Sequence, residues 1–215
     1  WPAGWKTNPR CPMAERGLLI VFSGPSGVGK GTVLKQFMQT QQNCTISISA
    51  TTRAPRPGEQ EGVDYYFIDK ERFERMIAGD AMLEYACYGG NYYGAPRGPV
   101  EEQLRQGINV ILEIELVGAL KIKEQYPKGV FVFVMPPSIQ ELRRRLTSRG
   151  TEKEEAIALR MEAARTEMEQ AMLYDYIIVN EDIEDCCRKF EAIVVAEGCA
   201  VRHRKEFIRE VSQNA

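Results

Sequence analysis

The apolar residues of this chain fall into short runs that are separated by segments with helical spacing. The runs are rich in β-branched residues, and their length is typical of buried strands. They are LLIVFS (18–23), TISIS (45–49), NVILEIE (109–115), VFVFVM (130–135) and YIIVN (176–180). Because strands alternate with helices, the pattern predicts an α/β protein with a parallel sheet flanked by helices.

Start and stop signals define the helices between these runs. One helix is expected at about 30–40, and another between Pro99 and Gly107, since proline favours the first turn and glycine the position beyond the end. A helix from about 138 to Arg149 ends at Gly150, and a longer one reaches about residue 174. Two capping boxes predict where these last helices begin: Ser138 with Glu141, and Thr151 with Glu154.

The segment between residues 49 and 98 breaks this alternation. It contains short strands at VDYYFI and MLEYACYGGNYYG, and these flank a helix around ERFERMIAG. We therefore expect a mixed α/β lobe inserted into the α/β core.

The whole pattern fits a single domain from 13 to 215. Met13 is a plausible start, so residues 1–12 are expected to be an upstream extension or a cloning remnant. The expected parts are a core (17–48, 99–137 and 166–207), the inserted lobe (49–98) and a helical segment (138–165).

Composition excludes several classes of function. Of 215 residues, 44% are hydrophobic, which is normal for a globular protein, and the formal net charge of −2 does not suit a general nucleic-acid binder. No apolar run approaches the roughly 20 residues that span a membrane, and the N-terminus has no apolar signal core. We expect a cytoplasmic protein without nucleic-acid or membrane partners.

The cysteines and the single histidine give no sign of a metal site. The six cysteines lack the spacing of zinc ligands and are interpreted as reduced cytosolic thiols. His203 is expected to be solvated on a basic C-terminal helix.

Residues 18–32, LLIVFSGPSGVGKGT, combine a strand, a glycine-rich turn and the start of a helix. Glycines in such a turn let successive N–H groups point at phosphate oxygens, and the helix N-terminus adds positive potential. Lys30 supplies a full charge for the β- and γ-phosphates. This P-loop predicts a nucleoside triphosphate site. Its binding residues are expected to be Gly24, Pro25, Ser26, Gly27, Val28, Gly29, Lys30, Gly31 and Thr32.

The P-loop departs from the usual pattern at one position. Ser or Thr ordinarily follows the lysine directly and binds magnesium, but here Gly31 follows it and Thr32 comes next. Thr32 is therefore a candidate Mg²⁺ contact.

The inserted lobe begins with SATTRAPRPGEQEGVDYYF, in which Arg53 and Arg56 stand beside prolines. Arginine forks match phosphate oxygens, and the prolines stiffen the loop, so we expect a second anion site. Tyr65, Glu84 and Tyr93 follow in the same lobe.

Two acids in ILEIE, Glu113 and Glu115, alternate with apolar residues. We expect them on one face of a strand near the P-loop, where they would contact metal-bound water or a second substrate.

These segments together resemble guanylate kinases. The resemblance is carried, in order, by GPSGVGKGT, TTRAPRPGE, GVDYYF, GNYYG, the LEIE strand and SRGTEKEEAIALRM, from about Gly17 to past Asn180. It implies a P-loop NTPase-type parallel sheet, with the inserted lobe binding GMP and residues 138–165 forming a helical lid. It also implies ATP as phosphoryl donor, GMP as acceptor, Mg²⁺ as cofactor, and a monomer or homodimer.

The resemblance also implies roles for particular residues. The GMP-binding residues would be Ser49, Arg53, Arg56, Tyr65, Glu84, Tyr93 and Glu115. The catalytic residues would be Lys30, Arg53, Arg145, Arg149 and Arg160, while Arg143, Arg144 and Arg165 are expected to be solvated or structural. Asn180 would lie near the adenine ring, and the Mg²⁺ contacts would be Thr32 and, through water, Glu113.

Two positions depart from the family pattern. Ala95 stands where a hydroxyl residue commonly helps to read the base, and Val117 stands where many relatives have glutamine. Ala95 keeps both dGMP and a looser choice of base open.

Two alternative functions remain. One is a guanylate-kinase-like scaffold that binds peptides without catalysis, but such domains degrade the P-loop, which this chain keeps. The other is a kinase for another nucleoside monophosphate, and Glu84 argues against AMP because adenine has an acceptor where guanine has a donor.

Overall fold

The structure, a computed structural model, describes residues 16–147 and 154–213. From the N-terminus the elements are β1 (Leu19–Ser23), α1 (Lys30–Phe37), β2 (Cys44–Ile46), β3 (Ala50–Thr51), β4 (Tyr66–Phe67), α2 (Lys70–Ala78), β5 (Met82–Tyr88), β6 (Asn91–Pro96) and α3 (Arg97–Arg105). They continue with β7 (Asn109–Glu113), α4 (Leu116–Gln125), β8 (Val130–Met135), α5 (Ile139–Thr147), α6 (Glu154–Glu169), a 3₁₀ turn (Gln170–Leu173), β9 (Tyr176–Val179), α7 (Ile183–Cys199) and α8 (Lys205–Gln213).

Strand β1 lies at the centre of a five-stranded sheet with the order β2-β7-β1-β8-β9. Every neighbouring pair in this sheet is parallel, which confirms the predicted α/β fold class. Open parallel sheets bind ligands at the carboxyl ends of their strands. The P-loop follows β1 at the middle of that edge, and Glu113, which pairs with Phe22, ends β7 beside it.

Helices cover both faces of this sheet because the side chains of its strands alternate. In β1, Ile20 and Phe22 belong to one buried cluster, whereas Leu19 and Val21 belong to the cluster on the other face. The first cluster includes residues of α1, α5, α6 and α7, and the second includes residues of α3 and α4. The core therefore lies on both sides of the sheet and holds the P-loop strand rigidly.

The core on the α7 side is built around Phe190. Its ring centroid lies 4.8 Å from that of Phe22 and 4.5 Å from that of Phe37. Cys186, one helical turn earlier, belongs to the same cluster and is fully buried. Burial raises the pKa of the Cys186 thiol to about 12.

The segment between β2 and α3 forms a separate four-stranded sheet with the order β4-β3-β6-β5. Strand β3 is parallel to β4 and antiparallel to β6, while β5 and β6 form a hairpin. Helix α2 covers this sheet through Phe73, whose ring stacks on Tyr92 with centroids 5.1 Å apart. The mixed sheet lies within the inserted lobe, whose boundaries at 49 and 98 stay a prediction.

The strand predicted at 109–115 is shorter than expected. It ends at Glu113, and Glu115 is the N-cap residue of α4, a helix that the sequence pattern did not reveal. The backbone carbonyl of Ile114 accepts a hydrogen bond of 2.8 Å from the Ser23 hydroxyl. The alternation in ILEIE has the period of a strand, but the chain turns into a helix within it.

The prediction of a solvated His203 within a C-terminal helix is wrong. His203 lies in the turn between α7 and α8, its side chain is 15% exposed, and its Nε2 lies 3.2 Å from a carboxylate oxygen of Glu197. The Glu197 carboxylate is buried and also binds Tyr176 and Arg202. A buried carboxylate needs several hydrogen-bonding partners, and His203 is held against Glu197 as one of them.

The start of α5 follows the prediction in part. The Ser138 hydroxyl accepts a hydrogen bond of 3.1 Å from the backbone N–H of Glu141. The side chain of Glu141 binds Arg144 and Arg145 instead. The predicted second capping box at Thr151, the helix end at Gly150 and residues 1–12 lie outside the described residues.

Other boundaries differ by a few residues, as the ends of elements commonly do. Helix α1 ends at Phe37 and not near residue 40, and β2 covers Cys44–Ile46 and not 45–49. Among the helices within 16–147 and 154–213, none has the length and apolar character needed to cross a membrane.

Candidate active site

The P-loop connects β1 to α1 through three glycines in the left-handed region. Their φ angles are +151° at Gly24, +83° at Gly27 and +98° at Gly29. A Cβ at Gly24 would stand 2.5 Å from the carbonyl oxygen of Val134, and one at Gly29 would stand 2.7 Å from Nδ2 of Asn180. Both the backbone angles and the lack of space therefore require glycine in this loop.

Lys30 lies over the P-loop that precedes it. Its Nζ donates to the carbonyl oxygen of Gly24 at 2.5 Å and to that of Pro25 at 3.3 Å. Burial lowers the pKa of Lys30, and the charges of Glu113 and nearby acids oppose that shift. The ammonium group is thus already held where a phosphate would meet the loop.

The outer side of the P-loop is fixed by Asn180 and Arg145. The buried Asn180 donates from Nδ2 to the carbonyl oxygen of Val28 at 2.7 Å. Arg145 donates to the same carbonyl at 3.1 Å and to the backbone carbonyl of Asn180 at 3.0 Å. Both residues therefore position the loop, while contacts of Asn180 with adenine and of Arg145 with the transferring group stay predictions.

Two adjoining cavities form one cleft between the inserted lobe and the core. One of about 350 Å³ is bounded by the lobe and α4, and the other, of about 410 Å³, reaches Lys30. The residues that line both are Ser49, Tyr65, Glu113, Ile114 and Glu115. The structure therefore brings together predicted residues that lie far apart in the sequence.

Glu84 lies at the lobe end of this cleft and is 9% exposed. It sits on β5 opposite Ala95 of β6, just after an irregularity in the strand register. Burial raises the pKa of Glu84 to about 7, and the charge of Lys121 on α4 opposes that rise. The site thus holds a carboxylate that is largely dehydrated and ready to accept hydrogen bonds from a ligand.

Ala95 is buried and is not among the residues that line the cleft. It is 1% exposed within the apolar cluster that also contains Leu83 and Val100. Val117, the other departure from the family pattern, lines the cleft and is 63% exposed.

The arginine loop lies at the edge of the lobe sheet. Glu59 binds the guanidinium of Arg53 with hydrogen bonds of 3.0 and 2.9 Å, and it accepts one of 2.7 Å from the backbone N–H of Arg56. The Arg53 guanidinium stands 5.4 Å from the ring centroid of Tyr65, which in turn lies 6.1 Å from that of Tyr93. Arg53 is therefore oriented by the loop and stacked on the cleft wall, whereas the Arg56 side chain is exposed.

The acids Glu113 and Glu115 both line the cleft, although Glu115 lies beyond the strand. Desolvation in the cleft raises the pKa of Glu113, and Lys30 opposes that rise. Glu115 accepts a hydrogen bond from the hydroxyl of Tyr88 at the tip of the β5-β6 hairpin. This bond joins the lobe to the core across the cleft.

For the remaining predicted site residues the structure gives only their location and exposure. Arg149 lies outside the described residues, and Arg160 is half-buried on α6. Thr32 is exposed in the first turn of α1.

Sequence reasoning missed several residues of the cleft region, among them Tyr88, Gly118 and Lys121. A glycine inside a helix usually has a packing or functional reason, but this signal at Gly118 could be used only once α4 was recognised as a helix. The other two depend on the packing of α4 and the hairpin, which the local sequence does not report.

Comparisons with known proteins agree with this geometry. The family model described as guanylate kinase matches residues 16–197. The chain is 48% identical over 200 residues to the guanylate kinase of Clostridium perfringens strain 13, which covers 93% of each chain. It is 52% identical over 186 residues to that of Bacillus subtilis strain 168, which covers 86% of this chain and 91% of the relative.

A solved structure supports the same assignment. The crystal structure of guanylate kinase from Anaplasma phagocytophilum is 38% identical in sequence and superposes with a TM-score of 0.68. The match covers 85% of this chain and 87% of that one. The residues matched by the family model include the P-loop, the inserted lobe and all strands of the parallel sheet, and the chain belongs to the guanylate kinase family.

Proposed function

We propose that the protein transfers the γ-phosphoryl group of ATP to GMP and so produces ADP and GDP. The observation that carries this proposal is the continuous cleft that leads from Glu84, at the lobe end, to Lys30 of the P-loop. A monophosphate whose base lies at Glu84 would direct its phosphate toward the arginine loop and the P-loop.

The carboxylate of Glu84 suits guanine. Guanine presents its N1–H and 2-amino donors side by side, and a carboxylate has two oxygens that only accept. Adenine has an acceptor at N1 and no 2-amino group, so it would leave the buried carboxylate unsatisfied. Such mispairing costs about 1–3 kcal/mol.

The reaction needs no general base among the side chains. The attacking group is a phosphate oxygen of GMP, which is already largely ionised at neutral pH because the second pKa of a phosphate monoester is about 6. The main barrier is repulsion between two polyanions. Lys30 and Arg53, with Arg149 and Arg160 of the predicted lid, would offset that charge. Closure of the lobe and the lid would exclude water.

The residues present fit a Mg²⁺ ion that is bound mainly by ATP and water. Magnesium at such sites takes one or two carboxylates together with phosphate oxygens and several waters. Glu113 borders the start of α1, since its Oε1 lies 3.8 Å from where a Cβ on Gly31 would stand. Glu113, through water, and the exposed hydroxyl of Thr32 would hold the ion, which supplies positive charge at the phosphates.

An ADP-release assay with ATP, Mg²⁺ and each of GMP, dGMP, AMP, CMP and UMP tests this proposal. We expect turnover to be fastest with a guanine nucleotide. No turnover with any monophosphate would leave the scaffold function as the better explanation. A preference for AMP or a pyrimidine nucleotide would contradict the assignment of Glu84.

A substitution in the site sharpens the test. Glu84→Gln places an amide donor against the guanine donors, so the GMP-to-AMP ratio of kcat/KM should fall. The fall should correspond to a loss of about 1–3 kcal/mol in discrimination between the two bases. Glu74→Gln is a matched control, because Glu74 is exposed on α2 of the same lobe. An unchanged ratio in Glu84→Gln would remove the main reason to prefer GMP.

A cytoplasmic location and a monomeric or homodimeric state stay predictions.

A further inference from the structure

One face of helix α4 lies against the lobe end of the cleft, where Glu84 is found. The helix residues and their partners on β5 are Gly118 with Glu84, Lys121 with Tyr85, and Gln125 with Leu83. Gln125 donates to the carbonyl oxygen of Leu83 at 3.0 Å, and the Lys121 ammonium lies 5.0 Å from the Tyr85 ring centroid. Spacings of three and four place the helix residues on the same side of α4. The helix therefore lies along the strand that carries Glu84.

The Glu84 side chain lies where a Cβ on Gly118 would stand. A Cβ on Gly118 would stand 2.6 Å from Oε2, 3.1 Å from Cδ and 3.3 Å from Cγ of Glu84. These are its three nearest heavy atoms outside the helix backbone and the adjacent residues. The carboxylate of Glu84 thus occupies the space that any side chain at position 118 would need.

The backbone conformation at this position does not call for glycine. Gly118 is the third residue of α4, in its first turn, and its φ is not positive. Alanine is favoured over glycine inside a helix by about 1 kcal/mol. Glycine therefore weakens the helix here, and what it provides is room for the Glu84 carboxylate.

A methyl group at position 118 would act on the carboxylate and not on the strand. The backbone of β5 is held by its pairing with β6 and by the Gln125 bond to Leu83. The Glu84 carboxylate, by contrast, is the end of a side chain with three rotatable bonds. The least costly response is a displacement of that carboxylate within the cleft.

We propose that Gly118 is a specificity-determining positioning residue. Because it has no side chain, it allows the Glu84 carboxylate to lie against α4, in the position from which it accepts the two adjacent donors of a guanine base. This inference rests on the proposed reading of guanine by Glu84, and it assigns to α4 a role in selecting the base.

Kinetics of Gly118→Ala test the proposal. We expect kcat/KM for GMP to fall at least tenfold through a higher KM for GMP, with KM for ATP unchanged and the GMP-to-AMP ratio reduced. Gly198→Ala is the control, because Gly198 also lies in a helix, on α7, and a Cβ there would meet nothing within 4 Å. Equal loss for GMP and ATP, or no loss, would overturn the proposal.

A double-mutant cycle with Glu84→Ala separates this inference from the proposed function. With Glu84 truncated the clash is gone, so Gly118→Ala should cause no further loss of GMP preference and should raise the melting temperature. In the wild-type background the gain should be smaller or absent, because the methyl group displaces the Glu84 carboxylate. This dependence on Glu84 is measured by comparing the effect of Gly118→Ala on the melting temperature in the two backgrounds.

The outcomes are distinguishable. If Gly118→Ala changes the melting temperature equally in both backgrounds, its effect does not pass through Glu84, and the inference fails. If the effect depends on Glu84 but Glu84→Ala leaves the GMP-to-AMP ratio unchanged, the contact is real, and the reading of guanine by Glu84 is what fails.

Discussion

The guanidinium of Arg53 is bound in parallel by both carboxylate oxygens of Glu59, at 3.0 and 2.9 Å. Such paired bonds fix the plane of the guanidinium as well as its position. They engage both terminal nitrogens, while the buried Nε has no partner among the described residues. Glu59 therefore presents Arg53 in a fixed orientation before any phosphate arrives.

Arg53→Ala should weaken GMP binding much more than ATP binding, because Arg53 belongs to the lobe and not to the P-loop. Calorimetric titration with each nucleotide separately measures both affinities, and the same result is expected for Arg56→Ala. Arg72→Ala, on the exposed side of α2 in the same lobe, is the control. Parallel losses for both nucleotides would mean that the loop is not a clamp for the GMP phosphate.

Lys30→Ala should lower kcat by about 100-fold or more while the protein stays folded, since such charges act on the transition state. The Lys30 ammonium donates to two P-loop carbonyls, and the residue does not belong to the apolar core. Lys35→Ala removes an exposed lysine from the same helix and should be neutral. Near-normal turnover of a folded Lys30→Ala protein would contradict the assigned role.

GMP affinity should fall as the pH drops through about 7, the value to which burial raises the pKa of Glu84. Protonation replaces an acceptor by a donor, so affinity should fall by about tenfold per pH unit below that pKa. The charge of Lys121 opposes this rise in the pKa of Glu84, and the charge of Glu115 reinforces it. Calorimetry across neutral pH measures the effect, and Glu84→Gln serves as reference because it keeps the titration of the GMP phosphate. Identical slopes for both proteins would show that Glu84 does not titrate in this range.

Glu84→Gln should also stabilise the fold at alkaline pH. The pKa of Glu84 in the folded state lies above its ordinary value of 4.5. Its contribution to stability is therefore fully present below pH 4.5 and is lost as the pH rises through about 7. The variant's unfolding free energy minus that of wild type should therefore be about 3 kcal/mol larger above that pH than in acid. Urea denaturation at acid and alkaline pH measures this change, and a pH-independent difference would argue against a dehydrated Glu84.

The sequence predicts best what depends on neighbouring residues. The P-loop follows from a strand, three glycines and a helix start within residues 18–32, and its geometry is local. The parallel sheet follows from alternating strands and helices. Helix α4 was missed because ILEIE carries the period of a strand to within one residue of the helix start.

The parts of the site that the sequence did not reveal depend on contacts between distant segments. The placement of Glu84 against Gly118 depends on how α4 packs on β5, and nothing near either residue encodes that distance. The bond from Asn180 to Val28 joins the end of β9 to the P-loop across 152 positions. By contrast, Glu59 lies only six residues from Arg53, and an acid beside an arginine pair was a local signal that could have been used.

The buried thiol of Cys186 gives the protein an internal reporter of its own opening. Thiol reagents attack the thiolate, and Cys186 is both inaccessible and held protonated by a pKa raised to about 12. The exposed Cys87 and Cys199 would be modified at once, whereas Cys186 would react only when α7 separates from the sheet. The rate of its slow labelling under native conditions would therefore measure the free energy needed to open the face of the core that supports the P-loop.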